Sequence, residues 1–264
     1  MTHKTDSVIF KPMKKAALSL SIFLCLLPSV AAAFDLDLVR PQSPYGGFFA
    51  YSAETIPKGD FAVGYSLERS QKPDFYRQVV GGAYGLGSRA DITLDTGFVS
   101  GYHGQGGFED IGAAFKYRLL DEGRYAPAVA AMAFGYAPTG RDTVSWGGGV
   151  GGGVALTRTL GPLTANLDAI ITNPGQSGLH NEFDFLGSLG FPIAHGATIL
   201  SEFQVRKEAY SGRVDLSEVR FGYRIMSDKL YSALGLGFGL KERHPQFRLI
   251  ISVGALLGKP GIMQ

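Results

Sequence analysis

The stretch Arg89–Phe98 reads Arg-Ala-Asp-Ile-Thr-Leu-Asp-Thr-Gly-Phe, and its apolar and polar side chains alternate with a period of two. One face carries Ile92, Leu94 and Phe98. The opposite face carries Arg89, Asp91, Thr93 and Asp95. This period is typical of a β-strand with one apolar side, because successive side chains of a strand point to opposite faces.

The same alternation returns along the chain after Gly59, in about twelve segments. They run over 59–68, 75–86, 89–101, 108–119, 125–137, 145–158, 163–173, 181–191, 197–207, 214–226, 230–241 and 247–257. Each segment has about the length that a tilted β-strand needs to cross a bilayer. The sequence therefore predicts a series of membrane-spanning strands.

Two kinds of connection alternate between these segments. The tight ones are Gly87-Ser88, Asp121–Gly123, Gly161-Pro162, Ala194–Gly196 and Ser227–Lys229. The longer or more polar ones are Arg69–Asp74, Tyr102–Gly107, Pro138–Val144, Pro174–His180, Glu208–Arg213 and Glu242–Gln246. Outer-membrane barrels have short periplasmic turns and longer outer loops, so the alternation predicts that both ends of the barrel are periplasmic.

The predicted fold class is all-β, an antiparallel transmembrane β-barrel of about 12 strands. Tyrosines near the strand ends suggest aromatic girdles at the membrane interfaces. They are Tyr84, Tyr102, Tyr117, Tyr125, Tyr136, Tyr210 and Tyr231. The alternative is a soluble β-sandwich or lipocalin-like barrel, whose exterior would be charged. Only 18% of the residues are charged, and many of them share one strand face, which favours the membrane barrel.

The N-terminus has the pattern of a secretory signal peptide. Lysines at 11, 14 and 15 precede a short apolar run over 16–30, and three alanines follow at 31–33. A membrane anchor is the alternative, but the run is short for a span. Cleavage after Ala33 removes four of the 25 basic and one of the 23 acidic residues, which leaves a net charge of −1. This balance gives no support to a nucleic-acid partner.

The predicted organisation has four parts: a signal peptide at 1–33, a lead-in segment at 34–58, the transmembrane barrel at 59–258 and a C-terminal tail at 259–264. The lead-in shows no sustained alternation. We expect it to be a periplasmic segment or a small plug. No later stretch is apolar for long enough to form a transmembrane helix. Cys25 leaves with the signal, so the mature chain is expected to have no disulfide.

Three stretches carry a family resemblance. They are Ile56–Gly59, Gly107–Gly112 continuing to Leu120, and Ala137–Gly140 with the glycine-rich strand and Leu160–Leu163 after it. Through them the chain resembles the outer-membrane β-barrels of the MetA-pathway of phenol degradation family. The resemblance implies a transport channel and says nothing for catalysis. The tail at 259–264 departs from the usual pattern, because it lacks the terminal aromatic residue that the outer-membrane assembly machinery reads.

The polar strand faces supply the candidate site. They place a set of charged residues in the lumen, since a charged side chain at the bilayer midplane costs about 2–4 kcal/mol if it faces lipid. The candidates are Glu68, Asp91, Asp95, Asp110, Lys116, Arg118, Asp168, Asp184, Glu202, Arg206, Glu218, Arg220, Arg224 and Arg248. They either close a narrow barrel as ion-pair networks or line a pore. Both readings suit about twelve strands.

No motif indicates an enzyme, a metal or a cofactor. Ser100 and His103 are the nearest hydroxyl–imidazole pair, and no metal-binding spacing occurs. The predicted function is a narrow channel for small molecules, with hydrophobic or aromatic ones as candidates. The alternative is a non-transporting barrel that presents surface loops. The predicted location is the outer membrane. The expected partners are its lipid, the assembly machinery and a small-molecule substrate.

Overall fold

The computed structural model describes residues 39–72, 74–102, 105–141, 144–145, 147–175, 179–207, 216–240 and 246–258. Its strands are β1 (Phe61–Gln71), β2 (Phe75–Gly85), β3 (Ala90–Tyr102), β4 (Gln105–Phe108), β5 (Ile111–Leu120), β6 (Ala128–Ala137), β7 (Gly149–Leu160), β8 (Leu163–Pro174), β9 (Glu182–Ala194), β10 (Ala197–Lys207), β11 (Leu216–Met226), β12 (Leu230–Gly239) and β13 (Phe247–Leu257). Within these residues, no helix is long and apolar enough to cross a bilayer.

The strands form one closed antiparallel barrel. Neighbouring wall strands pair antiparallel, and β1 pairs with β13, which closes the sheet. Both β4 and β5 pair with β3 and follow each other across Glu109-Asp110, so they form one interrupted wall strand. With these two counted as one, the wall has twelve strands. The predicted fold class is confirmed.

The two faces of the wall differ as the period-two pattern requires. In β5, Phe115 is 43% exposed on the outer face, whereas the next residue, Lys116, is 7% exposed. In β3, Ile92 and Leu94 are exposed while Asp91 is buried. Large apolar side chains outside and charged ones inside are the reverse of a soluble barrel. This facing contradicts the soluble alternative.

Several connections agree with the predicted alternation, but the β5–β6 connection, predicted to be tight, spans 121–127, and the β1–β2 connection, predicted to be longer, spans only 72–74. Tight turns link β7 to β8 and β9 to β10, where Gly161 and Gly196 adopt positive φ angles of 61° and 73°. A side chain at either position would be strained, because L-residues rarely take this conformation. Phe61 pairs with Leu257, so the barrel begins and ends on the side of the tight turns, which we call the short-turn end.

Residues 39–57, which we call the plug, lie inside the barrel. Phe49, Ala50, Tyr51 and Ala53 are buried, and the plug backbone bonds to side chains of the wall. Two arrangements were expected for 34–58, a periplasmic segment and a small plug. Residues 39–57 have the arrangement of a plug inside the barrel. Residues 34–38 lie outside the described residues.

The strand-end tyrosines do not all face outward. Tyr84, Tyr117 and Tyr125 are exposed, as a girdle requires. Tyr136 and Tyr231 instead point inward and bond to the plug, through Val39 N–H and Gln42 O respectively. Tyr102 packs edge-on against Phe75. Tyr210 lies outside the described residues. The girdle prediction is therefore wrong for Tyr136 and Tyr231, whose hydroxyls bind the plug.

Candidate functional site

The charged residues predicted for the lumen do not lie on the apolar outer surface of the barrel. Asp95, Arg118 and Arg224 are half-buried. The others are buried: Glu68, Asp91, Asp110, Lys116, Asp168, Asp184, Glu202, Arg206, Glu218, Arg220 and Arg248. A buried charge is costly without a partner, so the contacts of these groups decide what the interior can do.

One group of charges forms a belt of ion pairs across β10, β11 and β13. Arg220 lies 2.6 Å from Glu202 and 3.0 Å from Glu218. Arg248 approaches Glu218 at 3.4 Å. Gly237 pairs with both arginines, and a Cβ there would lie 2.1 Å from the Glu218 carboxylate. The absence of a side chain at 237 therefore leaves the space in which Glu218 bridges the arginines.

Glu68 extends this belt to β1, β2 and the plug. Its carboxylate accepts from Arg248 at 2.9 Å and pairs with Arg40 of the plug. Arg77 lies 4.0 Å from Glu68 and 2.8 Å from Glu109. The sequence prediction missed Arg77 and Glu109. Arg77 is buried between exposed neighbours in β2, but Phe75 and Val79 share its face, so the sequence of this strand has no polar–apolar alternation that marks Arg77.

A second group of charges links β9 and β10. Arg206 pairs with Asp184 across the two strands, with 2.9 Å between Nη2 and Oδ2. Glu182 lies 3.5 Å from the same guanidinium, and Gln204 donates to Asp184 at 2.7 Å. Glu182 and Gln204 share the inward face with the predicted pair, and the period-two rule could have found both.

The acidic wall residues bind the plug through its backbone N–H groups. The bonds run from Arg40 to Asp95 at 2.7 Å, from Phe49 and Ala50 to Glu202 at 3.0 and 2.9 Å, from Tyr51 to Asp168 at 2.6 Å, and from Ile56 to Asp91 at 3.0 Å. Bonds to a charged acceptor are worth about 1.5–3 kcal/mol each. The carboxylates therefore accept hydrogen bonds from plug N–H groups. In a β-sheet such N–H groups would bond to the carbonyls of a neighbouring strand.

Basic wall residues bind the plug carbonyls in the same way. Lys116 donates to Ser52 O at 3.2 Å and to Glu54 O, while its Nζ lies 3.5 Å from Asp91. Arg224 donates to Gly46 O at 2.7 Å. The plug is thus held by opposite charges on the wall, with donors and acceptors of its backbone both engaged.

Phe49 of the plug lies between two guanidinium groups. The Cζ atoms of Arg40 and Arg220 each lie 3.9 Å from the centre of its ring. Contacts of this kind are attractive because the face of an aromatic ring is electron-rich. Arg220 also pairs with Glu202, so the ring contact and the backbone anchor of the plug meet at one place on the wall.

Asp110, one of the predicted lumen residues, is buried. It lies at the break between β4 and β5, and its carboxylate accepts from Thr139 N, Gly140 N and Gly148 N at 2.9–3.1 Å. These donors belong to the connection between β6 and β7. The Asp110 carboxylate is therefore occupied by this connection.

The described residues include two of the histidines that lie in connections between strands. His180 and His195 are exposed. His103, the predicted neighbour of Ser100, lies outside the described residues. Among the residues described, no group of three or more His, Cys, Asp or Glu is placed to hold a metal ion.

A cavity of about 310 Å³ lies between the plug and the short-turn ends of β7 to β11. Pro44, Tyr45 and Gly46 line it from the plug side. The wall contributes Thr157, Thr159, Thr164, Asn166, Ser188, Thr198 and Arg224 among others. Two much smaller spaces, of about 10 and 20 Å³, lie beside Pro41 deeper in the barrel.

Solved structures similar to this chain are outer-membrane barrels. The COG4313 outer membrane channel from Pseudomonas putida F1 has 18% identity and a TM-score of 0.58, covering 78% of this chain and 98% of the channel. The NanC porin has 9% identity and a TM-score of 0.57, covering 74% and 99%. The KdgM porin has 10% identity and a TM-score of 0.53, covering 74% and 98%.

Comparison by sequence finds no relative of the chain. No family model matches the chain, and no curated protein matches it. At 18% identity or less, the structural likeness establishes the architecture alone. The chain is thus similar in fold to outer-membrane channels and porins, with its own charged interior and plug.

Proposed function

We propose that this chain is an outer-membrane channel for small molecules whose lumen is regulated by the plug. Its outward apolar side chains suit lipid, and its backbone polar groups are paired in a closed barrel, as a bilayer requires. The similar solved structures are named as outer membrane channels and porins. Membership of the MetA-pathway of phenol degradation family is part of this proposal, and catalysis is not.

The proposal rests on the plug that fills the lumen of the barrel. A barrel that only needs to be closed can fill its interior with wall side chains, as eight-stranded barrels do. Here a separate segment fills the space, and hydrogen bonds and ion pairs to the wall accompany the apolar contacts of side chains such as Phe48 and Phe49. The polar contacts can be exchanged for water, so they are the ones that a shift of the plug within the intact wall would replace.

The alternative function is a non-transporting barrel. The belt of ion pairs around Arg220 and Arg248 favours it, because these charges satisfy one another and close the interior. The two functions make different demands on the plug. In a channel, loss of the plug contacts must open a path, whereas in a structural barrel it must only lower stability.

Planar-bilayer recordings separate the two functions. We would compare the full chain with a variant in which residues 40–55 are replaced by a glycine–serine segment of equal length. We expect low conductance from the full chain and several-fold higher conductance from the variant. Heat-modifiable gel mobility is the control for assembly. If both proteins assemble and neither conducts, the barrel is structural and the channel proposal fails.

A further inference from the structure

We propose that the cavity at the short-turn end binds a small organic carboxylate with an apolar body. This deepens the proposed function, on which it rests, by naming a class of transported molecule. The volume of about 310 Å³ is at the lower end of the range for small-molecule sites. The charges, hydroxyls and apolar groups around it point to the ligand chemistry.

Arg224 is the cation of this cavity. Its Nη1 donates to Gly46 O at 2.7 Å, which fixes the side chain against the plug. Within the described part of the chain, no carboxylate lies at salt-bridge distance from Arg224, unlike Arg206, Arg220 and Arg248. A guanidinium has five N–H donors in a planar fork, so one bond to a carbonyl leaves donors for a carboxylate.

The acidic residues that line the cavity are already paired. Glu54 lies 2.7 Å from Arg118. Glu122 lies 3.4 Å from Arg158, and it also accepts from the backbone N–H and the hydroxyl of Thr159 at 2.9 Å. Their negative charges are offset locally, so Arg224 sets the sign of the ligand that the cavity attracts.

The strand register places the Thr198 hydroxyl beside Arg224 and the Thr164 hydroxyl farther along the same cavity wall. Thr198 pairs directly with Arg224 across β10 and β11, so their side chains share the inner face of the wall. Thr164 pairs with Gly190, which lines the same cavity. The missing side chain at Gly190 leaves room between the two threonines. Among the described residues neither threonine hydroxyl has a hydrogen-bond partner, and the one next to Arg224, that of Thr198, can donate to an anion bound there.

The rest of the lining suits an apolar body. Leu200, Met226, Pro162, Pro192 and Tyr45 surround the polar groups. A carboxylate bonded to Arg224 would leave its hydrocarbon part against these residues. An inorganic anion could use Arg224 but would gain nothing from the apolar lining, which distinguishes the two kinds of ligand.

Calorimetric titration of the purified full chain in detergent tests this inference. Benzoate is the probe, benzyl alcohol is its neutral counterpart, and inorganic phosphate is the anion without an apolar body. We expect binding of benzoate only. The Arg224→Met variant should bind benzoate at least about tenfold more weakly. The Arg89→Met variant should bind normally, because Arg89 is an exposed cation at the same end, outside the cavity.

The Thr198→Val variant tests the same site in case Arg224→Met fails to fold. It keeps the β-branched shape and removes only the hydroxyl, so weaker benzoate binding with unchanged gel mobility would support the site. Equal binding of phosphate and benzoate, or normal benzoate binding by assembled Arg224→Met, would overturn the inference. Binding without bilayer conductance would refute the channel and spare the site, whereas conductance without binding would refute only the site.

Discussion

Replacing Glu202 by glutamine should loosen the plug while the wall stays assembled. The Glu202 carboxylate accepts the backbone N–H groups of Phe49 and Ala50 at 3.0 and 2.9 Å. It also pairs with Arg220 at 2.6 Å. Glutamine keeps one acceptor oxygen but loses the charge that strengthens each of these bonds.

The size of the effect follows from these bonds. Two hydrogen bonds to a charged acceptor contribute about 1.5–3 kcal/mol each, and glutamine retains part of this. We expect the seated plug to lose about 2–3 kcal/mol relative to the displaced plug. That loss shifts the equilibrium roughly 30- to 160-fold towards the displaced plug. In single-channel recordings the fraction of time spent in the high-conductance state should rise accordingly.

Glu218→Gln is the matched control. Glu218 is buried in the same belt and binds Arg220 and Arg248, and the described residues give it no contact with the plug. This control should lower the temperature at which heat-modifiable mobility is lost, without raising the open fraction. Equal opening in both variants, or an unchanged open fraction in assembled Glu202→Gln, would refute the anchoring role of Glu202.

Three further outcomes are expected. Phe115→Arg should impair assembly, by about 2–4 kcal/mol if the side chain is near the bilayer midplane, and normal heat-modifiable mobility would contradict its outward facing. An epitope tag at 72–74 should be accessible on intact cells and one at 121–123 should not, and the reverse labelling would invert the topology. Mass spectrometry of the mature protein should show cleavage after Ala33, and an intact N-terminus would contradict the signal peptide.

The wall could be predicted because the facing of each strand depends on residues that are adjacent in sequence. A strand with one face in lipid and one in the interior must alternate, and a shift of one residue exchanges the faces. Asp91 and Lys116 are therefore placed inside by their immediate neighbours alone. Tight turns with glycine at 161 and 196 are equally local, since they depend on one positive φ angle each.

The plug was not predictable in its contacts because they are distant in sequence. Phe49 and Glu202 are separated by 153 residues, and the bond uses a backbone N–H that any residue except proline supplies. Tyr136 shows the same limit, because a tyrosine near a strand end can face either the interface or the interior. Its hydroxyl accepts Val39 N–H inside the barrel, and no neighbouring residue indicates this.

Lys116 shows how the plug changes a prediction made from alternation alone. A lumen-facing lysine is expected to tolerate replacement by glutamate, because neither side chain meets lipid. In the structure, Lys116 Nζ lies 3.5 Å from Asp91 and donates to the carbonyls of Ser52 and Glu54. Glutamate would face both a carboxylate and two carbonyls, and loss of one partner of a buried pair costs about 3–5 kcal/mol.

We therefore expect Lys116→Glu to lower the temperature at which the barrel loses its heat-modifiable mobility. Lys116→Met should have a smaller effect, since it removes the donors without adding a repelling charge. Exchanging Lys116 and Asp91 should recover only part of the loss. The exchange restores opposite charges, but it places a cation against Ile56 N–H and an anion against the plug carbonyls. Full recovery would mean that the pair acts independently of the plug, and the plug would then lose one of its proposed anchors.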